Sequence, residues 1–261
     1  MSVVADAFAA CRAEGRAALI GYLPVGYPDL PGSLEVLRAM VESGCDIIEV
    51  GIPYSDPVMD GPTIQAAAEQ ALRGGARVRD VFRATETIAA AGGRAVVMSY
   101  WNPVLRYGVD AFARDLAAAG GLGMITPNLI PEEADDWFAA SEAHGLDRVF
   151  LVAPSSTEER LAMTVKACSG FVYAASTMGV TGARDAVSDA APELVGRVRA
   201  VSDIAVGVGL GVRSGAQAAE IAAYADGVIV GSALVSAAGR NLAAVRDLTA
   251  ELAAGVRNPT A

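Results

Sequence analysis

The sequence predicts an α/β protein, a closed (β/α)8 TIM barrel with an extra helix at its N-terminus, forming one domain over residues 1–261. Three observations carry this. Eight short apolar runs rich in Val and Ile alternate with segments of helical period along the chain. A chain of 261 residues is ordinary for such a barrel and long for a sandwich or bundle. The last two apolar runs end in glycines that open toward helices, the usual form of a barrel's phosphate-binding end.

The elements follow in order. A helix near 2–14 precedes the first strand and is expected to cover the barrel bottom. Strands are expected near 17–22 (AALIGY), 45–50 (CDIIEV), 95–99 (AVVMS), 122–126 (LGMIT), 148–152 (RVFLV), 171–175 (FVYAA), 204–208 (IAVGV) and 227–230 (GVIV). Between the first two, LPGSLEVLRAMVESG sets Leu34, Leu37, Met40 and Val41 on one helical face and Glu35, Arg38 and Glu42 mostly on the other. Pro62 begins another helix. Further helical patterns lie near 110–119, 132–143, 157–168, 191–200, 214–223 and 234–253, and the tail GVRNPTA is expected to fray.

Composition narrows the chemistry. A net charge of -10 argues against nucleic acid or an anionic membrane surface as a partner. Cys11, Cys45 and Cys168 have no CxxC spacing and read as buried thiols rather than a disulfide framework or zinc site. The N-terminus lacks a basic region followed by an apolar run, and no apolar stretch is long enough to span a bilayer, so a cytoplasmic location is expected. The one lysine, Lys166, lies in a polar helical pattern, away from where a Schiff-base lysine would have to sit. The one histidine, His144, ends a helix as a charge near its C-terminus, so neither a serine triad nor a catalytic zinc site has its histidines. Carboxylates and tyrosines remain for proton chemistry, with no metal and no cofactor expected.

The stretch IIEVGIPYSDPVMDGP, residues 47–62, has both kinds of group. Glu49 interrupts a strand that is otherwise apolar, and a lone buried carboxylate costs several kcal/mol unless paired or neutralised. By alternation it shares a face with Ile47, and only an inward Glu49 near the strand end could reach a ligand. The competing reading pairs it with an arginine on a neighbouring strand. Asp60 could simply cap the helix begun by Pro62. In the second half, VGVGLGV (206–212) and VIVGSALV (228–235) offer backbone N–H groups to a phosphate.

These residues, together with MSYWNPV (98–104) and YAASTMGVTGAR (173–184), resemble the tryptophan synthase alpha subunit family over nearly the whole chain. The resemblance implies cleavage of indole-3-glycerol phosphate to indole and glyceraldehyde 3-phosphate, a retro-aldol reaction of tryptophan biosynthesis. It also implies a pyridoxal-phosphate beta subunit that receives the indole in an alpha2beta2 complex. On that likeness Glu49 is the acid and base, and Asp60 stabilises the protonated ring through its N–H. Tyr22, Met98, Ile125, Tyr173, Thr181 and Leu210 match substrate-contacting positions, and Gly182, Gly211, Gly231 and Ser232 match the phosphate binders. Trp101 and Trp137 read as surface or packing residues. The chain departs from common family residues at Asn128, Thr177 and Leu210, which leaves loop closure and pocket shape open. A segment at 176–189, rich in glycine and small polar residues, is expected to be mobile alone and to close when a partner docks on the rim. Two alternatives stay open: a stand-alone lyase or a phosphosugar isomerase on the same barrel, and a weakly active barrel that activates its partner.

Overall fold

The computed structural model describes residues 2–175, 190–209 and 211–260. Nine parallel strand segments run in the order β5-β4-β3-β2-β1-β9-β8-β7-β6. They are β1 (Ala18–Pro24), β2 (Ile47–Gly51), β3 (Ala95–Met98), β4 (Gly123–Ile125), β5 (Asp147–Val149), β6 (Leu151–Val152), β7 (Phe171–Ala175), β8 (Ala205–Gly209) and β9 (Gly227–Val230). The two ends of that order, β5 and β6, are the single run expected at 148–152, interrupted at Phe150. β5 pairs with β4 and β6 pairs with β7, so the run hands the ladder from one neighbour to the other and the barrel comes round on itself.

Alternation along the strands separates two cores. Side chains from eight segments, among them Ala18, Ile20, Ile47, Val96, Ile125, Val149, Phe171 and Ile229, fill the barrel interior. Their chain neighbours, such as Leu19, Ile48, Val97, Met124, Val172 and Val228, pack outward against the helices. The first helix, α1 (Val3–Ala13), inserts Val4, Phe8 and Cys11 into the interior cluster and so stoppers the bottom. Phe8 meets Phe171 with ring centroids 5.3 Å apart. Ser2 caps this helix through the Ala5 N–H at 2.9 Å and donates to the Asp147 carboxylate at the foot of β5.

The outer helices are α2 (Leu30–Glu42), α3 (Pro62–Arg73), α4 (Asp80–Ala90), α5 (Trp101–Tyr107), α6 (Val109–Ala118), α7 (Asp135–His144), α8 (Glu158–Ala167), α9 (Ala190–Arg199), α10 (Gly215–Ala222), α11 (Ser232–Ala238) and α12 (Leu242–Arg257). Several differ from the sequence expectation. α4 and α5 are additional, and a 3-10 turn at Pro131–Glu133 separates off the start of the pattern expected at 132–143. The pattern at 234–253 is two helices, because Gly239 ends α11 and Asn241 caps α12 through the Ala244 N–H at 2.8 Å. The tail does not fray where expected: α12 continues to Arg257 with Val256 fully buried.

Trp137 is fully buried and Trp101 half-buried. Cys11 and Cys45 are buried, whereas Cys168, expected to be buried, is only half-covered. Its Sγ accepts the Phe150 N–H at 3.3 Å because it closes α8 beside the interrupted strand. His144 ends α7 and pairs with Asp110 at 3.0 Å, and Lys166 lies in the last turn of α8. No helix among the described residues is long and apolar enough to cross a membrane.

Candidate active site

Ile47 lies in the barrel interior, so Glu49, two residues on along β2, projects inward as well. It is 1% exposed. Across the ladder it lies level with Tyr22 of β1 and Val96 of β3. Its Oε1 is buried without a hydrogen-bond partner in the structure. An arginine partner would hold the carboxyl low. Instead burial alone pushes it up to about 8. Near neutral pH the group is therefore a neutral acid, ready to give a proton and to take one back.

Asp60 sits at the end of the loop that follows β2. It does not cap α3, whose N-cap is Gly61 with no side-chain cap bond. Burial raises its carboxyl, and the nearby Tyr100 hydroxyl partly offsets the rise. Tyr22 and Tyr173 are both raised well above the ordinary tyrosine value by burial and by the charges of Asp60 and Glu49. The rim at the C-terminal strand ends thus brings Tyr22, Glu49, Asp60, Tyr100 and Tyr173 into one electrostatic group.

Two glycines make the room. A Cβ on Gly51 would collide with the hydroxyl of Tyr22, and one on Gly209 would collide with the hydroxyl of Tyr173. Both tyrosines therefore lie across neighbouring strands with their hydroxyls over bare backbone. Met98 is half-buried at the end of β3, level with Ile125 of β4, which is fully buried in the interior cluster.

On the opposite side, Gly209 of β8 pairs in register with Ile229 of β9, so Gly211 and Gly231 lie two residues past these paired positions. Gly211 has a φ of 73°, a conformation that disfavours other residues. Gly231 is the N-cap of α11 and Ser232, its first residue, is 7% exposed. Thr181, Gly182 and Leu210, together with Thr177 and the rest of 176–189, lie outside the described residues. Among the described residues no three His, Cys, Asp or Glu side chains gather as a metal site would require.

Tyr100 is the residue at this rim that sequence reasoning left without a role, although it stands within the MSYWNPV segment. Its signal was an aromatic hydroxyl directly after a strand's C-terminal end. Asn128, one of the departures, accepts the Trp101 N–H at 2.9 Å and so ties the β3 rim to the β4 rim.

Comparison with known proteins is decisive at this point. The family model described as tryptophan synthase alpha chain matches residues 8–260. The chain belongs to the tryptophan synthase alpha chain family. It is 78% identical over 259 residues to the tryptophan synthase alpha chain of Nocardia farcinica, covering 99% of this chain and 97% of that one. Against the Mycobacterium tuberculosis alpha chain the identity is 77% over 250 residues, covering 96% and 93%. A solved structure of Mycobacterium tuberculosis tryptophan synthase superposes with a TM-score of 0.96 at 74% identity, covering 98% of each chain.

Proposed function

We propose that this chain carries out the lyase reaction of its family, retro-aldol cleavage of indole-3-glycerol phosphate to indole and glyceraldehyde 3-phosphate, with Glu49 and Asp60 as its catalytic groups. The observation that carries the reading is Glu49 itself, an unpaired carboxyl facing the barrel interior at the catalytic rim. The reaction needs a proton on ring carbon 3 and the loss of one from the adjacent side-chain hydroxyl. A carboxyl with a value of about 8 suits both transfers near neutral pH. Glu49 protonates the ring, and its carboxylate then accepts the hydroxyl proton as the carbon–carbon bond breaks.

Protonation leaves positive charge shared with the ring nitrogen. Asp60, ionised, accepts a hydrogen bond from the ring N–H and offsets that charge. Tyr22, Met98, Ile125, Tyr173, Thr181 and Leu210 enclose the substrate. Gly182, Gly211, Gly231 and Ser232 hold the phosphate through backbone N–H groups and a hydroxyl, chemistry supported by the positive φ at Gly211 and by Gly231 opening α11.

The partner in this reading is a tryptophan synthase beta subunit that takes the released indole, in an alpha2beta2 assembly. The likeness to solved tryptophan synthases supports it. A cytoplasmic location follows from the biosynthetic role. The alpha reaction calls for no cofactor and no metal, and neither nucleic acid nor a membrane takes part. The test is indole release from indole-3-glycerol phosphate by the purified chain, measured alone and with the beta subunit. Indole is expected in both cases and faster with the partner. No indole under either condition would overturn the assignment.

A further inference from the structure

We infer that Gln65 is a positioning residue for Asp60: from the start of α3 its side-chain amide holds the Asp60 carbonyl and so fixes the peptide beside the catalytic carboxylate. The inference rests on the reading of Asp60 as a catalytic carboxylate. Gln65 Nε2 donates to the Asp60 carbonyl oxygen at 2.7 Å. Only the amide nitrogen of a glutamine can donate to a carbonyl, so the partner sets the orientation of the side chain. The Gln65 backbone N–H donates to the Gly61 carbonyl at 2.9 Å, the bond that opens the helix. One residue therefore holds the two successive carbonyls through which the loop enters α3.

The need for such a tie is local. The N-cap of α3 is Gly61, which has no side chain to close the helix start, and Pro62 at the first helical position has no N–H. A chain that enters a helix through glycine can swivel there, and Asp60 is the residue just ahead of it. On the other side of Asp60 the Met59 N–H donates to the Tyr100 hydroxyl at 3.0 Å. Between these two anchored groups lie only the backbone torsions of Met59 and Asp60. With both ends held, the carboxyl is aimed by its own side-chain rotamer.

The base of the tie is fixed in the fold. α3 buries Ile64, Ala67, Ala68 and Ala71. A Cβ on Gly231, the N-cap of α11, would sit 3.6 Å from Ile64 Cδ1 and 3.6 Å from Tyr22 Cδ1, so the first turn of α3 packs into the corner where β1 meets α11. Gln65 itself is exposed, so its contribution is the hydrogen bond rather than core packing. An Asp60 carboxylate that must meet a ring N–H only in the charged intermediate gains from being held ready, since its ordering is then not repeated in each turnover.

The experiment is steady-state indole release by the complex with beta subunit for Gln65→Met, Gln65→Glu, Gln65→Lys, Asp60→Asn and the double variant Gln65→Met with Asp60→Asn, beside urea unfolding of each chain. Gln65→Met keeps the length of the side chain and removes the donor. It is expected to lower kcat about 3- to 10-fold, the range for a neutral hydrogen bond, with KM within about twofold. Gln65→Glu, which sets a second acceptor against the carbonyl, is expected to be at least as slow. Gln65→Lys, which restores a donor, is expected to recover most of the rate. In the Asp60→Asn background the loss of the glutamine is expected to cost less than about twofold further. A Gln65→Met enzyme with full kcat, beside a slow Asp60→Asn, overturns the inference and leaves the bond as a brace for the helix start, whatever urea unfolding shows. Slowing that persists undiminished in the Asp60→Asn background also overturns it, because Gln65 then acts elsewhere. Full rate in Asp60→Asn overturns the reading of Asp60 itself, and the positioning role falls with it.

Discussion

Glu49 is held neutral by its surroundings, and that sets a sign for stability. Its value is about 8 in the folded chain and near the ordinary carboxyl value when unfolded. Below about pH 4.5 both states hold the proton and the site carries no electrostatic penalty. Between the two values the unfolded chain releases a proton that the folded chain keeps, so stability falls as pH rises and the loss is complete above about pH 8. Glu49→Gln removes that titration. The variant is therefore expected to gain stability relative to the parent between pH 5 and pH 8, by a few kcal/mol on the scale of about 1.4 kcal/mol per pKa unit. Urea unfolding across that range measures it. A constant difference at every pH would mean that Glu49 is not buried neutral. A site that destabilises its own fold in this way is typical of function overriding stability.

Much of this was legible in the residues because a glutamate in an apolar strand breaks the period-two pattern and asks for a reason. That Glu49 shares a face with Ile47 followed from the alternation, while the inward direction of that face came only with the barrel. What could not be read was whether an arginine waits across the ladder, since that depends on register. The ladder puts Tyr22 and Val96 there instead. Tyr100 was equally hidden, because its hydrogen-bond partner Met59 becomes a neighbour only when β2 and β3 lie side by side.

Among the elements, strands with a clear apolar run were predictable, and so was α1 as the cover of the bottom. The divided fifth strand was not, because five apolar-flanked residues carry no mark of where the ladder changes neighbours. Helices α4 and α5 were missed although α4 has a buried apolar face and α5 buries Val104. In α5 the cause is Pro103 inside a short segment full of aromatics, which reads as a loop. The role given to α1 has a measurable consequence. Phe8 is 2% exposed and packs against Phe171 in the interior cluster. Phe8→Ala is expected to cost about 3–5 kcal/mol in a denaturant titration. The residual folded enzyme should keep its KM, because the rim lies at the other end of the strands. A large rise in KM without loss of stability would contradict this separation of a stabilising bottom from a catalytic top.

At the scale of the whole molecule, the barrel holds one carboxyl neutral in its interior and a second at the rim, with apolar packing insulating the first from solvent. The rim is also where a partner would have to act. In the exposed loop after β2, Val58 keeps 69% of its surface open two residues from Asp60. A beta subunit resting there is expected to raise the rate by fixing Asp60, so Val58→Asp is expected to weaken partner stimulation while sparing the basal rate. Titration of beta subunit against indole release checks this, and unchanged stimulation would remove the loop from the coupling. The account as a whole depends on Glu49 moving the protons. Its most direct test is the single-turnover rate of indole formation by Glu49→Gln, compared with the parent and with near-UV circular dichroism establishing that the variant is folded. The account predicts a loss of about 10²–10⁴-fold, the range for a general acid–base group. A folded variant that still forms indole at close to the parental rate would contradict it.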